Sequence, residues 1–304
     1  MEQNNFVDVG MKMRVFKNRF GELRAGWAIA AILILIIVAQ VAGSSLVPEN
    51  GADENIALIF AVTLVYGLIA IGGGIILFKL LYKRSLRQLG LIPEGWCSGL
   101  LHGIGMGTAS MVLVYALLLF TEQAETAFNQ AKFFIPLLLA NLLSVSLTAF
   151  SEEFLVRGFM MTALKTTRNK WIILCTSSIL FSLVHLLNPW VTALSLVNTL
   201  LAGLLFAYMF IKSGKLWLPT GYHLAWNFFQ GDVFGMHVSG RAQLSAFSTT
   251  MGTNELLTGG GAGPEGGLLV TLVLLLGALY VRCTIKTPNE SHWAMDSDLP
   301  LTRN

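Results

Sequence analysis

Residues 151–160, SEEFLVRGFM, set two adjacent glutamates and an arginine inside a long run of apolar residues. A carboxylate surrounded by hydrocarbon is costly unless it finds a partner or a water-filled cavity, and such a residue reads by default as functional. On a helix Glu153 and Arg157 stand at i, i+4 on one face and can neutralise each other. Glu152 is turned about 100° away and continues a different stripe, Asn141, Ser144 and Thr148. The stretch thus reads as a membrane helix whose polar seam ends in a carboxylate free for chemistry. The competing reading is an interhelical clasp in which both glutamates are structural.

Composition agrees with a membrane setting. Of 304 residues, 54% are hydrophobic and 12% charged, the balance of a polytopic membrane protein. The net charge of +3 is modest and the lysines and arginines are spread over connections, which argues against a nucleic-acid partner. Cys97, Cys175 and Cys283 have no CxxC spacing and read as small buried hydrophobes, not as a disulfide framework or a zinc–thiolate site. The first apolar run, 25–47, follows a polar segment and has no convincing cleavage site, so it is expected to be a retained span.

Apolar runs at about 25–47, 56–78, 100–120, 134–164, 171–187, 190–211, 219–234 and 268–281 predict an all-α bundle of about eight transmembrane helices. The layout is a tail over 1–24, one transmembrane domain over 25–287 with its core at about 134–235, and a polar tail over 288–304. There is no internal repeat. The fourth run is longer than a bilayer requires, so that helix is tilted or projects from the membrane. Lysines and arginines gather in the amino-terminal tail and after the second, fourth and sixth spans, which places both termini in the cytoplasm.

Two further ionisable clusters lie in apolar runs: FSLVH, with Phe181 and His185, and HLAWN, with His223 and Asn227. Each pair is spaced i, i+4 and shares a helix face. His102, His237 and His292 lie at a helix boundary, in an outer loop and in the tail, and read as incidental. Carboxylate, imidazole and amide together can activate water and hold an oxyanion. Glu152, His185 and His223 also form a plausible zinc set, and the sequence does not decide between the two. An antiparallel hairpin turning near Arg168 puts Glu152 and His185 at one depth. His223 follows the turn at Gly214 too closely to reach that depth simply. It requires a short or tilted sixth helix, a dipping 213–219 segment, or a projecting fourth helix.

EEFLVR, FSLVH and HLAWN, in this order over roughly residues 140–230, resemble the EExxxR, FxxxH and Hxxx(N/D) signatures of the CPBP family of intramembrane proteases. That family includes the type II CAAX prenyl endopeptidase and bacterial bacteriocin-processing and self-immunity proteins. The resemblance implies an intramembrane endopeptidase in which Glu152 is general base and His185 binds and activates water. His223 and Asn227 would stabilise the oxyanion, and Glu153 and Arg157 match the remaining signature positions. It leaves a zinc cofactor open. The partners it implies are membrane lipid and a protein or peptide substrate, prenylated in the CAAX case, and the expected location is a prokaryotic plasma membrane. No HExxH, paired-aspartate GxGD or intramembrane GxSG element is present. A non-catalytic immunity or scaffold protein and a transporter or proton relay are the alternatives, the second disfavoured by the lack of an inverted repeat.

Overall fold

In a computed structural model, the described residues are 15–17, 23–46, 56–129 and 135–286. Most of the amino-terminal tail, the acidic connection 48–55, and the carboxy-terminal tail with His292 lie outside them. Helix α1, Ala25–Ser44, is followed by α2, Ile56–Gly67, which runs through a π turn at Leu68–Gly72 into α3, Gly73–Tyr82. Helix α4 spans Trp96–Phe120, and α5, Ile135–Glu153, continues through a π turn at Phe154–Met160 into α6, Met161–Leu164. Then come α7 at Lys170–Val184, α8 at Ala193–Ser213 and α9 at Trp217–Asn227, the last extended by a π turn at Phe228–Val233. A short α10, Glu255–Thr258, precedes α11, Leu268–Thr284.

The architecture is the all-α membrane bundle expected from the hydropathy. Among the described residues 6 helices are long and apolar enough to cross a membrane, and Leu268–Thr284 is a shorter apolar helix. The expected seventh span, α9, is not among the 6. It is an 11-residue helix, too short to cross a membrane, and its Tyr222, His223, Ala225 and Trp226 are buried by protein.

Local chemistry sets the helix ends. The Asn169 side chain accepts the Trp171 and Ile172 N–H groups at the start of α7, and Thr192 with Ser195 forms a reciprocal capping box at the start of α8. Gly214, with φ +67°, closes α8 in a left-handed turn. Helices α4 and α9 approach until backbone meets backbone. A Cβ at Gly103 would overlap the Leu218 carbonyl, and one at Gly221 would overlap that of Leu100.

Two findings depart from the sequence reading. Strand β1, Ala124–Phe128, pairs antiparallel with β2, Phe247–Met251, in the register Ala124↔Met251 to Phe128↔Phe247. These segments were expected to be plain loops, since neither has a run of apolar alternation to announce a strand. Cys97, Cys175 and Cys283 are exposed on the bundle, not buried. In a membrane protein an outward apolar side chain is solvated by hydrocarbon, so apolar character does not imply burial against protein.

The bundle has two different ends. At one, the basic connections interlock: the Leu216 N–H donates to the Gly90 carbonyl at 3.1 Å, and the Trp217 indole N–H to that of Ile92 at 2.7 Å. At the other, the 235–267 connection and the β1–β2 pair cover the helix ends. There Asn141 Nδ2 donates to the Leu244 carbonyl at 3.0 Å, and Asn198 Nδ2 to that of Glu265 at 2.8 Å.

Candidate active site

Helix α5 ends at Glu153, and the π turn after it carries Arg157. Wide π turns are rare and concentrate at functional sites, and another of this chain's π turns follows Asn227. Glu153 and Arg157 are both fully buried, and Arg157 Nη1 donates to Glu153 Oε1 at 3.0 Å. Nη2 donates to the Gly203 carbonyl on α8 at 3.2 Å. The guanidinium lies over the Phe181 ring, 4.2 Å from its centroid, and 5.2 Å from that of Phe206.

His223 enters the same knot. Its Nδ1 is 3.1 Å from Glu153 Oε1. An ionised carboxylate only accepts, so this contact places a proton on Nδ1. The ring stacks on Phe206 at 5.2 Å and meets the edge of Phe181 at 6.3 Å. Glu153 is therefore engaged by Arg157 of the π turn and His223 of α9 at once, and α8 joins through Arg157 and His223.

Glu152 points elsewhere. It is half-buried and lines a cavity of about 660 Å³ together with Ser144, Thr148, His185, His223 and Asn227. Its Oε2 stands 3.9 Å from His223 Nε2, beyond direct hydrogen-bond range. On the seam leading to it, Ser144 Oγ and Thr63 Oγ1 share a hydrogen bond at 2.7 Å.

His185 sits where α7 tightens into a 3₁₀ turn, His185–Leu187. Its Nδ1 is 2.7 Å from the Phe181 carbonyl, a group that only accepts, so Nδ1 donates and Nε2 is left as an acceptor. The four-residue spacing of FSLVH thus orients the imidazole through the carbonyl, and the Phe181 ring packs on His185 with centroids 4.7 Å apart. Phe181 touches Arg157, His185 and His223.

His223 lies on α9, which follows the turn after α8 and is packed under the 83–95 segment. Residues 83–95 fold across the turn after α8, and Leu89 and Leu216 are fully buried between them. Helix α9 therefore starts beneath this cover at Trp217, about one and a half turns before His223.

Four residues near the site escaped sequence reasoning. Gly203 and Phe206 on α8 hold Arg157 and His223, and nothing in an apolar helix distinguishes them beforehand. Asp232 is 1% exposed and lines the cavity, although it fits no aspartyl-protease pattern. Glu265 lines the cavity from the 235–267 connection, its Oε2 accepting the Ser239 N–H at 2.7 Å. Burial pushes the Glu265 carboxyl above its ordinary range, against the opposing effects of the Ser239 N–H, His185 and His223. A single charge within GGGAGPEGG was the available signal.

The residues do not fit a zinc site. Among the described residues no group of three or more His, Cys, Asp or Glu side chains is arranged to hold a metal. In the Glu152, His185 and His223 set, both Nδ1 atoms are committed to protein acceptors, and each ring keeps Nε2 for a further partner.

Fold and cavity together define an integral membrane helix bundle with carboxylate, imidazole and amide groups gathered inside it. Residues 134–229 match the family model Type II CAAX prenyl endopeptidase Rce1-like, so this part of the chain is similar to the CPBP and CAAX proteases. The matched segment contains EEFLVR, FSLVH and HLAWN. No match was found among curated proteins or solved structures.

Proposed function

We propose that the chain is an intramembrane endopeptidase that hydrolyses a peptide bond with water activated by Glu152. The observation that carries this reading is the different fate of two neighbouring glutamates: Glu153 is tied to Arg157 and His223, while Glu152 faces a cavity that His185, His223 and Asn227 also line. A structural clasp accounts for Glu153 and leaves Glu152 unexplained.

In the proposed reaction a water held by Glu152 and His185 Nε2 gives its proton to Glu152 and attacks the substrate carbonyl. The oxyanion that forms is met by the Asn227 amide and by His223 Nε2. With Nδ1 already donating to Glu153, His223 can donate from Nε2 only as the imidazolium. Collapse of the tetrahedral intermediate expels the amine, which takes the proton from Glu152. The chemistry needs no metal ligand, and its partners are lipid and a polypeptide substrate. Assigning the basic end of the bundle to the cytoplasm places both termini there.

The test compares membranes carrying wild-type protein, Glu152→Gln and His185→Ala. Both variants are expected to insert and fold and to lose cleavage, read as peptides missing from the membrane proteome. Full cleavage by either variant would sink the proposal.

A further inference from the structure

The cavity is closed toward one end of the bundle and reaches exposed residues toward the other. Its deep lining includes Leu155, Met160 and Tyr222, all 1% exposed or less. The lining residues Gln40, Val41, Leu187, Arg241 and Gln243 are exposed. These five lie near the carboxy-terminal ends of α1 and of the α7 3₁₀ turn, and in the 235–267 connection. That is the end opposite the interlocked segments 83–95, 158–170 and 212–217.

Charge separates the same two ends. Lys79 lies in the last turn of α3 and Lys83, Arg84 and Arg87 follow it, Lys165 and Arg168 lie between α6 and α7 with Lys170 opening α7, and Lys212 and Lys215 flank the turn into α9. Among the described lysines and arginines, only Arg241 falls in the connections at the open end. Retention of lysine and arginine on the cytoplasmic side makes the closed, basic end cytoplasmic.

We infer that the cavity is reached from the non-cytoplasmic face, so that the polypeptide it takes is a membrane-anchored chain cut on that side and not a cytoplasmic chain end. This rests on the endopeptidase reading above. The shape of the cavity suits such an occupant. Leu33, Ile36 and Val41 of α1 line it together with Leu180, Val184 and Leu187 of the α7 segment, an apolar wall whose last members, Val41 and Leu187, are 61% and 77% exposed. An apolar anchor lying along that wall leaves the peptide next to it pointing inward to Glu152. A prenylated carboxy terminus made in the cytoplasm would meet the closed end, behind Leu89 and Leu216.

Sidedness is testable without any knowledge of the substrate. In a full-length chain with Cys97, Cys175 and Cys283 replaced by serine, single cysteines are placed by Gln243→Cys, Arg241→Cys and Lys83→Cys, and intact cells are treated with a membrane-impermeant maleimide of high mass. The 243 and 241 thiols are expected to give a gel shift in intact cells, and the 83 thiol only after permeabilisation. The reverse pattern overturns the inference. Two mouth positions guard against one variant failing to insert. Cleavage is scored separately from the peptides lost in Glu152→Gln cells. Cut positions on the non-cytoplasmic side of membrane-anchored proteins support the inference, and cut positions at cytoplasmic chain ends overturn it. Because labelling does not depend on proteolysis, an outward-opening cavity with no Glu152-dependent products refutes the endopeptidase reading and leaves the access route standing.

Discussion

Replacing Arg157 with methionine removes the cation from the knot while keeping an unbranched side chain of similar reach. Arg157 is fully buried, and the change deletes its 3.0 Å bond to Glu153, its 3.2 Å bond to the Gly203 carbonyl and its stacking over Phe181. Breaking a buried ion pair from one side costs about 3–5 kcal/mol, because the remaining charge stays buried without its partner. Here His223 Nδ1, 3.1 Å from the same Glu153 oxygen, remains and can carry a positive charge. The expected loss is therefore at the lower edge, about 3 kcal/mol. Glu153→Gln strands the guanidinium and should cost a similar amount. The double variant Glu153→Gln/Arg157→Met buries no charge at these positions, so its cost should fall short of the sum by about 1–3 kcal/mol. The assay is unfolding of purified protein in mixed micelles of rising SDS content, followed by tryptophan fluorescence. A single Arg157→Met change costing less than about 1 kcal/mol, or four corners that add, would refute the claim that this pair holds the site together. Activity gives an independent readout. The double variant should stay inactive even where stability recovers, because His223 loses the carboxylate that sets its tautomer.

His185→Gln should lower cleavage about 100-fold or more, with stability unchanged in the same micelle assay; wild-type turnover would remove His185 from the reaction. Gly107→Val puts a side chain against the Tyr222 carbonyl, one residue from His223. It should cost about 1–3 kcal/mol from overpacking and cut activity about 100-fold as the ring shifts, and normal turnover would show that α9 has slack. Treatment with 1,10-phenanthroline should leave cleavage unchanged, whereas a loss restored by added zinc would contradict the mismatch between donor set and metal. Glu265 is raised by burial above its ordinary 4.5, so the folded chain holds that proton more tightly than the unfolded one. Its contribution is complete below the ordinary value and is lost as pH climbs through the raised one, and Glu265→Gln should flatten this fall in a pH series of unfolding curves. An unchanged slope would mean that Glu265 does not titrate there.

What could be read in advance was local or periodic. Hydropathy located the helices, and a rotation of 100° per residue separated Glu152 from the Glu153–Arg157 face before any coordinates. The i, i+4 spacing of Phe181 and His185 was visible, but not its cause, a ring nitrogen bonded to the carbonyl one turn back. What was illegible depended on segments distant in sequence. His223 meets Glu153 from a helix whose start is hydrogen-bonded to residues 90 and 92, and no pattern near His223 encodes that contact. Glu265 reaches the cavity because Ser239 and Asn198 fasten its connection. The β1–β2 pair joins residues over a hundred positions apart, and short strands without alternation carry no signal of their partner.

The opposition between a structural clasp and a reactive site dissolves once each glutamate is considered separately. Lipid is as apolar as the helices it surrounds, so packing and polar contacts, not hydrophobic exclusion, decide where helices converge. Glu153 and Arg157 supply such contacts: through the Gly203 carbonyl, the Phe181 and Phe206 rings and His223, they draw α7, α8 and α9 onto the α5–α6 rod. Glu152 precedes Glu153 on the same rigid turn, so every bond that fixes Glu153 also fixes the direction in which Glu152 points. In the proposed reaction, chemistry at Glu152 thus requires a clasp at Glu153, and exchanging the order of roles should be impossible. Glu153→Gln should harm stability and activity together, whereas Glu152→Gln should harm activity alone. Equal stability loss from the two substitutions would return both glutamates to the clasp.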